Sequence, residues 1–194
     1  MELEIVRYGH PVLRKKGQPV AAVTPALARL AEDMIETMRA GHGVGLAAQQ
    51  VGQVVQLMVI DVRGVTDRPS SIELGGQEAR VDDFMPMVLF NPAWKAAGAP
   101  VESVEGCLSF PDLFAEIRRP ARIDVEALDI RGQRLSFRCG GLLARVIQHE
   151  FDHLQGILFI DRMMREDKDQ LRPQLEALRE STQAELAQRA VAKR

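Results

Sequence analysis

The stretch QHEFDHLQG, residues 148–156, sets two imidazoles four residues apart and a carboxylate directly after the first. On a helix, positions i and i+4 share a face, so His149 and His153 can grip one metal ion together. Two ligands do not complete a catalytic site, which normally takes three from the protein and leaves one position for water. Glu150 lies about 100° around such a helix from His149. That direction suits a base that takes a proton from water and later returns it to a departing amine. The apolar and metal-binding neighbours of Glu150 argue against a plain solvated carboxylate.

Three sources of a third ligand compete. Asp161 or Glu166, downstream, would give a peptidase-like site; His10 or His42 would give three imidazoles; Cys107, in VEGCLSFP, would give a thiolate. Cys107 is favoured. It follows Gly106 in a short stretch between turn signals, where the backbone can bend sharply toward the helix, and a thiolate is the strongest divalent-metal donor available. Without the two-histidine helix, a lone cysteine would read as a small buried hydrophobe. Cys139, ahead of Gly140 and Gly141, takes that structural role. His10, before a proline, belongs to a turn, and His42, just past a helix stop, is not counted as a ligand.

These side chains need elements to position them. Residues 24–41 read as a helix, with Thr24 as N-cap, Pro25 in the first turn, Gly41 as the stop, and Leu27, Leu30, Ala31, Met34, Ile35 and Met38 at helical spacing. Residues 54–62 read as a buried strand, and 87–94 as a second strand ending in an Asn-Pro turn. Between them, 63–80 is polar and rich in Gly and Ser, which predicts an exposed excursion, mobile or partly disordered. Residues 122–139 alternate around DIRGQ as a β-hairpin, and 140–156 form the metal helix. From about residue 169 a helix carries a narrow stripe, Leu171, Leu175, Leu178 and Leu186, with Pro173 tolerable only in its first turn. The expected class is α+β: small mixed or antiparallel β-sheets around a central metal-binding helix, with a C-terminal helix. Residues 1–165 would be the catalytic domain and 166–194 a helical tail.

The totals set outer bounds. A chain of 194 residues with 46% hydrophobic residues fits one domain with a real core. A net charge of −2 offers no bulk attraction to nucleic acid, so no direct DNA contact is expected. Two cysteines cannot build a disulfide framework in a chain this size and point to a reducing compartment. The start, MELEIVRYGHPVLRKK, has no apolar signal-peptide core, and the longest apolar runs are too short to span a bilayer. A soluble cytoplasmic protein with no membrane segment is expected.

Three stretches together resemble one family, the peptide deformylases. GVGLAAQQ (43–50) fits Gly-x-Gly-Leu-Ala-Ala-x-Gln, EGCLS (105–109) carries the cysteine, and QHEFDH (148–153) is followed by Leu154 and Gly156. Residues 118–132 resemble the family's hairpin, and the similarity covers roughly residues 1–165. His-Glu-x-x-His alone occurs in many unrelated metallopeptidases; three motifs in this order are highly specific. The 63–80 segment is longer than the family pattern.

The resemblance implies removal of the formyl group from N-formylmethionyl nascent peptides. Cys107, His149 and His153 would hold the metal, which lowers the pKa of a bound water from ~15.7 toward ~7. The family uses Fe(2+) in many members, with Zn(2+), Ni(2+) or Co(2+) able to occupy the same site, and a thiolate suits iron as well as zinc. The family assigns the oxyanion to the side-chain amide of Gln50, rather than Gln49, and to the backbone N–H of Leu108. Gly43 and Gly45 would let their loop approach the substrate backbone closely. Leu142 and Val146 share a helix face with His149 and His153, so with Val44 they can wall a pocket for an unbranched side chain such as methionine; ordinary core packing is the plain alternative. Asp152 can orient a ligand or a nearby arginine, and Arg119 matches the family arginine, paired with Glu105, although a purely structural ion pair reads equally well.

In some deformylases the C-terminal helix docks on the ribosome. Here the last nine residues carry Arg189, Lys193 and Arg194 and no acid, which fits a weak phosphate-binding patch. A solvated helix that packs Leu171, Leu175 and Leu178 on its own domain is the preferred reading.

Overall fold

The computed structural model describes residues 1–192. The first helix, α1 (Pro25–Ala40), begins as its sequence requires. Thr24 Oγ1 accepts from the Leu27 N–H at 3.3 Å, and Pro25 occupies the first turn, where its missing N–H costs nothing. There follow β1 (Gly45–Ala47), β2 (Leu57–Ile60), β3 (Ser70–Leu74), β4 (Gln77–Ala79), β5 (Met87–Ala96), β6 (Pro100–Cys107), β7 (Phe110–Pro120), β8 (Arg122–Leu128) and β9 (Arg134–Gly140). The chain then forms α2 (Gly141–Leu154) and α3 (Arg165–Ala192). No described helix is long and apolar enough to cross a membrane.

Seven strands form one antiparallel sheet in the order β1-β2-β5-β8-β9-β3-β4, while β6 and β7 form a separate ribbon. The fold is α+β, as the sequence indicated, with α2 packed between the two sheets. Strand β2 explains the continuous apolar run LMVI. Successive side chains point to opposite faces, so Met58 and Ile60 join the core under α2, and Leu57 and Val59 join the core under α1. A third core links the ribbon to the tail through Phe110, Ile117, Phe159 and Leu175.

Four expectations need correction. The strand expected over 54–62 is shorter, and Val55 instead makes an isolated parallel bridge to Gln18. The 63–80 excursion is ordered in its second half, where β3 and β4 form a hairpin at Gly75-Gly76, both at positive φ, and β3 pairs with β9. Its polar composition reflects an edge, since Ile72 alone of these two strands is buried. Strand β5 does not end at Asn91-Pro92. It runs on to Ala96 through a bulge, with Asn91 at φ 48 and its side-chain amide bonded to both Val20 N (2.8 Å) and Val20 O (2.7 Å). A bulge is where a strand tolerates proline.

The fourth correction concerns α3, which begins at Arg165, so Pro173 stands two turns inside it. The carbonyl of Asp169 thereby loses its helical donor, but Asp169 is exposed and water can replace it. Leu175 is buried, and Leu171 and Leu178 pack against the third core. Arg189 is engaged by Glu4 at 2.6 and 3.0 Å, and Lys193 and Arg194 of the suggested basic patch lie outside the described residues.

Candidate metal centre and substrate cleft

Helix α2 owes its starting point to a close fit. Gly141 has φ 65, and a Cβ there would come within 2.0 Å of the Pro69 carbonyl oxygen. The Leu143 N–H donates to Ser70 Oγ at 3.0 Å, so the 63–80 segment anchors the metal helix. Two turns later α2 presents His149 and His153, whose ring centroids are 5.1 Å apart.

Cys107 reaches them from the end of β6, where the β6–β7 register slips between Gly106 and Cys107. Its Sγ is 3.3 Å from His153 Nε2, and one donor atom from each of Cys107, His149 and His153 lies within 4.8 Å of the others. One soft sulfur and two imidazole nitrogens are a donor set that fits a divalent transition metal. The rival ligands are engaged elsewhere or stand apart: Asp161 is bound by Arg14 and the Leu158 N–H, and His10 Nδ1 caps Val12 N at 3.1 Å. Glu166 and His42 are exposed, and neither belongs to the donor cluster.

A buried charge network holds the ring of His149. Glu105 Oε2 lies 2.9 Å from His149 Nδ1, which turns the other ring nitrogen toward the cluster. Glu105 accepts from Arg119 at 2.6 and 2.9 Å and from Arg145 at 2.8 Å. Arg119 also donates to Asp152 at 2.7 Å, and Arg162 closes the chain on Asp152. Glu105, Asp152 and Arg119 are nearly inaccessible. Such burial is tolerable only because every charge is paired and hydrogen-bonded. Burial pushes the Glu105 carboxyl up, but hydrogen bonds from His149 and Arg119 outweigh it and hold the group well below the usual carboxylate range.

Sequence reasoning reached Asp152, Arg119 and Glu105 as an ion pair or orienting group, but missed Arg145 and the bond from Glu105 to His149. A signal for Arg145 was present. A lone arginine in the apolar run GLLARVI, one turn before His149 on the same face, needs a buried acid.

Val44, Gly45, Leu142 and Val146 all line a cleft of 580 Å³, and Gln50 and Leu108 line it too. Gln50 is fixed by its oxygen, which accepts from Ala47 N at 2.8 Å, so its Nε2 faces Cys107 Sγ and Ser109 Oγ, each at 3.4 Å. Gln49 is also buried but turns away toward Lys15 O. Cys139 is buried between strand and helix, which pushes its thiol up to about 12.

Glu150 also opens onto the cleft. Burial raises its carboxyl to about 7, against the pull of His149, and its Oε2 has no partner among the described residues. The neighbouring Gly45 owes its identity to this carboxylate. A Cβ there would stand 2.5 Å from Glu150 Oε1 and 2.6 Å from Val146 Cγ1. The close approach seen at Gly45 is to Glu150 and Val146. Gly45→Ala should displace the carboxylate and lower kcat/KM by about 10²-fold, the usual result of misplacing a reacting group by about 1 Å. Metal content and circular dichroism should be kept; a rate equal to wild type would show that the carboxylate needs no such room.

The sequence profile described as polypeptide deformylase matches residues 2–169. The chain belongs to the peptide deformylase family. The peptide deformylase of Methylacidiphilum infernorum is 46% identical over 179 residues, covering 92% of this chain and 94% of that one. That of Opitutus terrae is 43% identical over 186 residues, covering 95% and 96%. A Synechococcus elongatus deformylase solved in complex with actinonin superposes with a TM-score of 0.74 at 35% identity, covering 87% of this chain and 82% of the other. The Thermotoga maritima deformylase gives 0.70 at 38%, covering 84% and 99%. This deformylase is a metal-dependent hydrolase that removes the N-formyl group from N-formylmethionine at the start of nascent polypeptides, releasing formate.

Proposed function

We propose that Cys107, His149 and His153 hold the metal, Fe(2+) by preference and Zn(2+), Ni(2+) or Co(2+) in its place, and that Glu150 is the general base and acid. The carrying observation is the grouping of one sulfur and two imidazoles within 4.8 Å, beside a buried carboxylate that is not one of the donors. When bound, the cation supplies Lewis acidity and makes water more acidic.

The protein groups do the rest. Glu150 takes the proton of the attacking water and delivers it to the amine nitrogen as the C–N bond breaks. The Gln50 Nε2–H and the Leu108 N–H donate to the oxyanion that forms on the formyl oxygen, and losing one such donor typically costs about 10²–10³ in rate. Val44, Gly45, Leu142 and Val146 receive the methionine side chain; three apolar walls and one missing side chain suit an unbranched thioether. Cys107 is partly exposed, so an iron-loaded site should lose activity in air by thiolate oxidation.

Residues 1–165 are read as the catalytic unit and 166–194 as a tail packed upon it. A ribosome contact through the tail would have to compete with Glu4 for Arg189, which Glu4 already holds. The cytoplasm as the place of action rests on two free thiols, which suit a reducing compartment.

The test is metal analysis of anaerobically purified protein together with amine release from formyl-Met-Ala-Ser and acetyl-Met-Ala-Ser. One transition metal per chain and turnover of the formyl peptide alone are expected. Equal turnover of the acetyl peptide would remove the basis for a tight formyl site.

A further inference from the structure

The charged groups lining the cleft are mostly committed. Arg145 and His149 are both bound to Glu105, and Glu150 lines the cleft beside the donor cluster. Arg68 is different. It enters the cleft wall from the segment just before β3, half-buried, and its guanidinium bonds only neutral acceptors, Ser103 Oγ at 3.2 Å and the Val104 carbonyl at 3.3 Å. No carboxylate among the described residues pairs with it within 4.0 Å, not even Glu116, which stands opposite Val104 in the β6–β7 register. A guanidinium has five donors, so donors remain for a ligand.

Its place along the cleft can be gauged. Val104 lies three residues before Cys107 on β6, a distance of about 10 Å at strand rise. In an extended peptide with its formyl carbon beside Cys107, the second and third residues fall about 6–10 Å away. Asp112, the other charge of the lining with no ion-pair partner among the described residues, lies past the β6–β7 turn at the opposite end of this stretch, where Cys107 pairs with Phe110. The downstream part of the cleft therefore carries one unneutralised positive charge in a partly desolvated wall, where an opposite charge is worth more than in open water.

We propose that Arg68 is a specificity-determining residue that favours peptides with an aspartate or glutamate at the second or third position after the formyl group. The proposal rests on the cleft being the peptide site, and turnover of a neutral formyl peptide by the wild type tests that reading by itself.

The experiment compares kcat/KM for formyl-Met-Ala-Ala with the Asp and Lys substitutions at the second and at the third residue. It uses the metal-loaded wild type and Arg68→Gln, Arg68→Glu and Arg68→Lys. The wild type should prefer the acidic over the basic peptide by about fivefold at low salt, as expected of a partly exposed ion pair, and the difference should lie in KM. The preference should vanish in R68Q, invert in R68E, return in R68K, and shrink as salt rises. An acid-to-lysine ratio that is the same in all four proteins, or losses in equal proportion on every peptide, would overturn it.

Discussion

Glu150→Gln is expected to retain a full complement of metal and to lose about 10²–10⁴-fold in kcat on a formyl peptide, the range by which a positioned general base accelerates reactions. The carboxamide matches the carboxylate in size, so the close fit against Gly45 and Val146 is kept. The three proposed metal donors are untouched. What disappears is the ability to accept a proton. The same variant carries a stability signature in metal-free protein. Burial raises the Glu150 carboxyl from 4.5 to about 7, so the stability contributed by the protonated form is present below 4.5 and lost as pH rises through 7. Above pH 8 the neutral glutamine should therefore make metal-free protein more stable than wild type, by on the order of 3 kcal/mol. Metal quantification, single-turnover kinetics and urea unfolding of the apoprotein check these outcomes. Full activity in Glu150→Gln would remove the base from the mechanism.

Cys107→Ser is expected to lose both metal and formyl release. A serine hydroxyl stays protonated at neutral pH, so the site loses an anionic sulfur donor and keeps two neutral imidazoles. Changes to groups that merely orient metal ligands cost about 10–100-fold in affinity, and removal of a ligand should exceed that. The fold should survive, since Cys107 ends a strand whose pairing with β7 is by backbone. Titration with Co(2+) against a chelator measures the affinity, and amine release measures the activity. Retention of metal and peptide cleavage would instead point to a site completed by an acid, although Asp161 is already bound by Arg14 and the Leu158 N–H.

The metal helix and α1 were legible because each carries apolar residues at helical spacing, to which α1 adds a capping threonine and a proline in its first turn. The hairpin β8–β9 was legible because alternation and a Gly-containing turn are also local. Where the reading failed, a distant partner had reversed the local signal. Residues 70–79 look like a solvated loop because only Ile72 is buried, and their strand identity comes from pairing with β9, more than sixty residues away. The Gly75-Gly76 pair was an overlooked hairpin signal. Asn91-Pro92 carries a turn signal that a bulge absorbed, since Val20 supplied the partners for the Asn91 side chain.

The sequence by itself determined the chemistry: an imidazole pair at i and i+4, a carboxylate beside it, one thiol able to join them, and a glycine-rich loop ending in glutamine. Those depend on side-chain type and short-range spacing, which a linear chain states directly. Only the tertiary structure decided which groups hold that chemistry in place. Glu105 turns toward His149, Arg119 and Arg145 neutralise Glu105, and Arg68 stands without an acid among the described residues, because β6, β7, α2 and the 63–80 segment converge on one cleft. Charges separated by tens of residues acquire partners, or fail to, only when packing removes the water that would otherwise screen them.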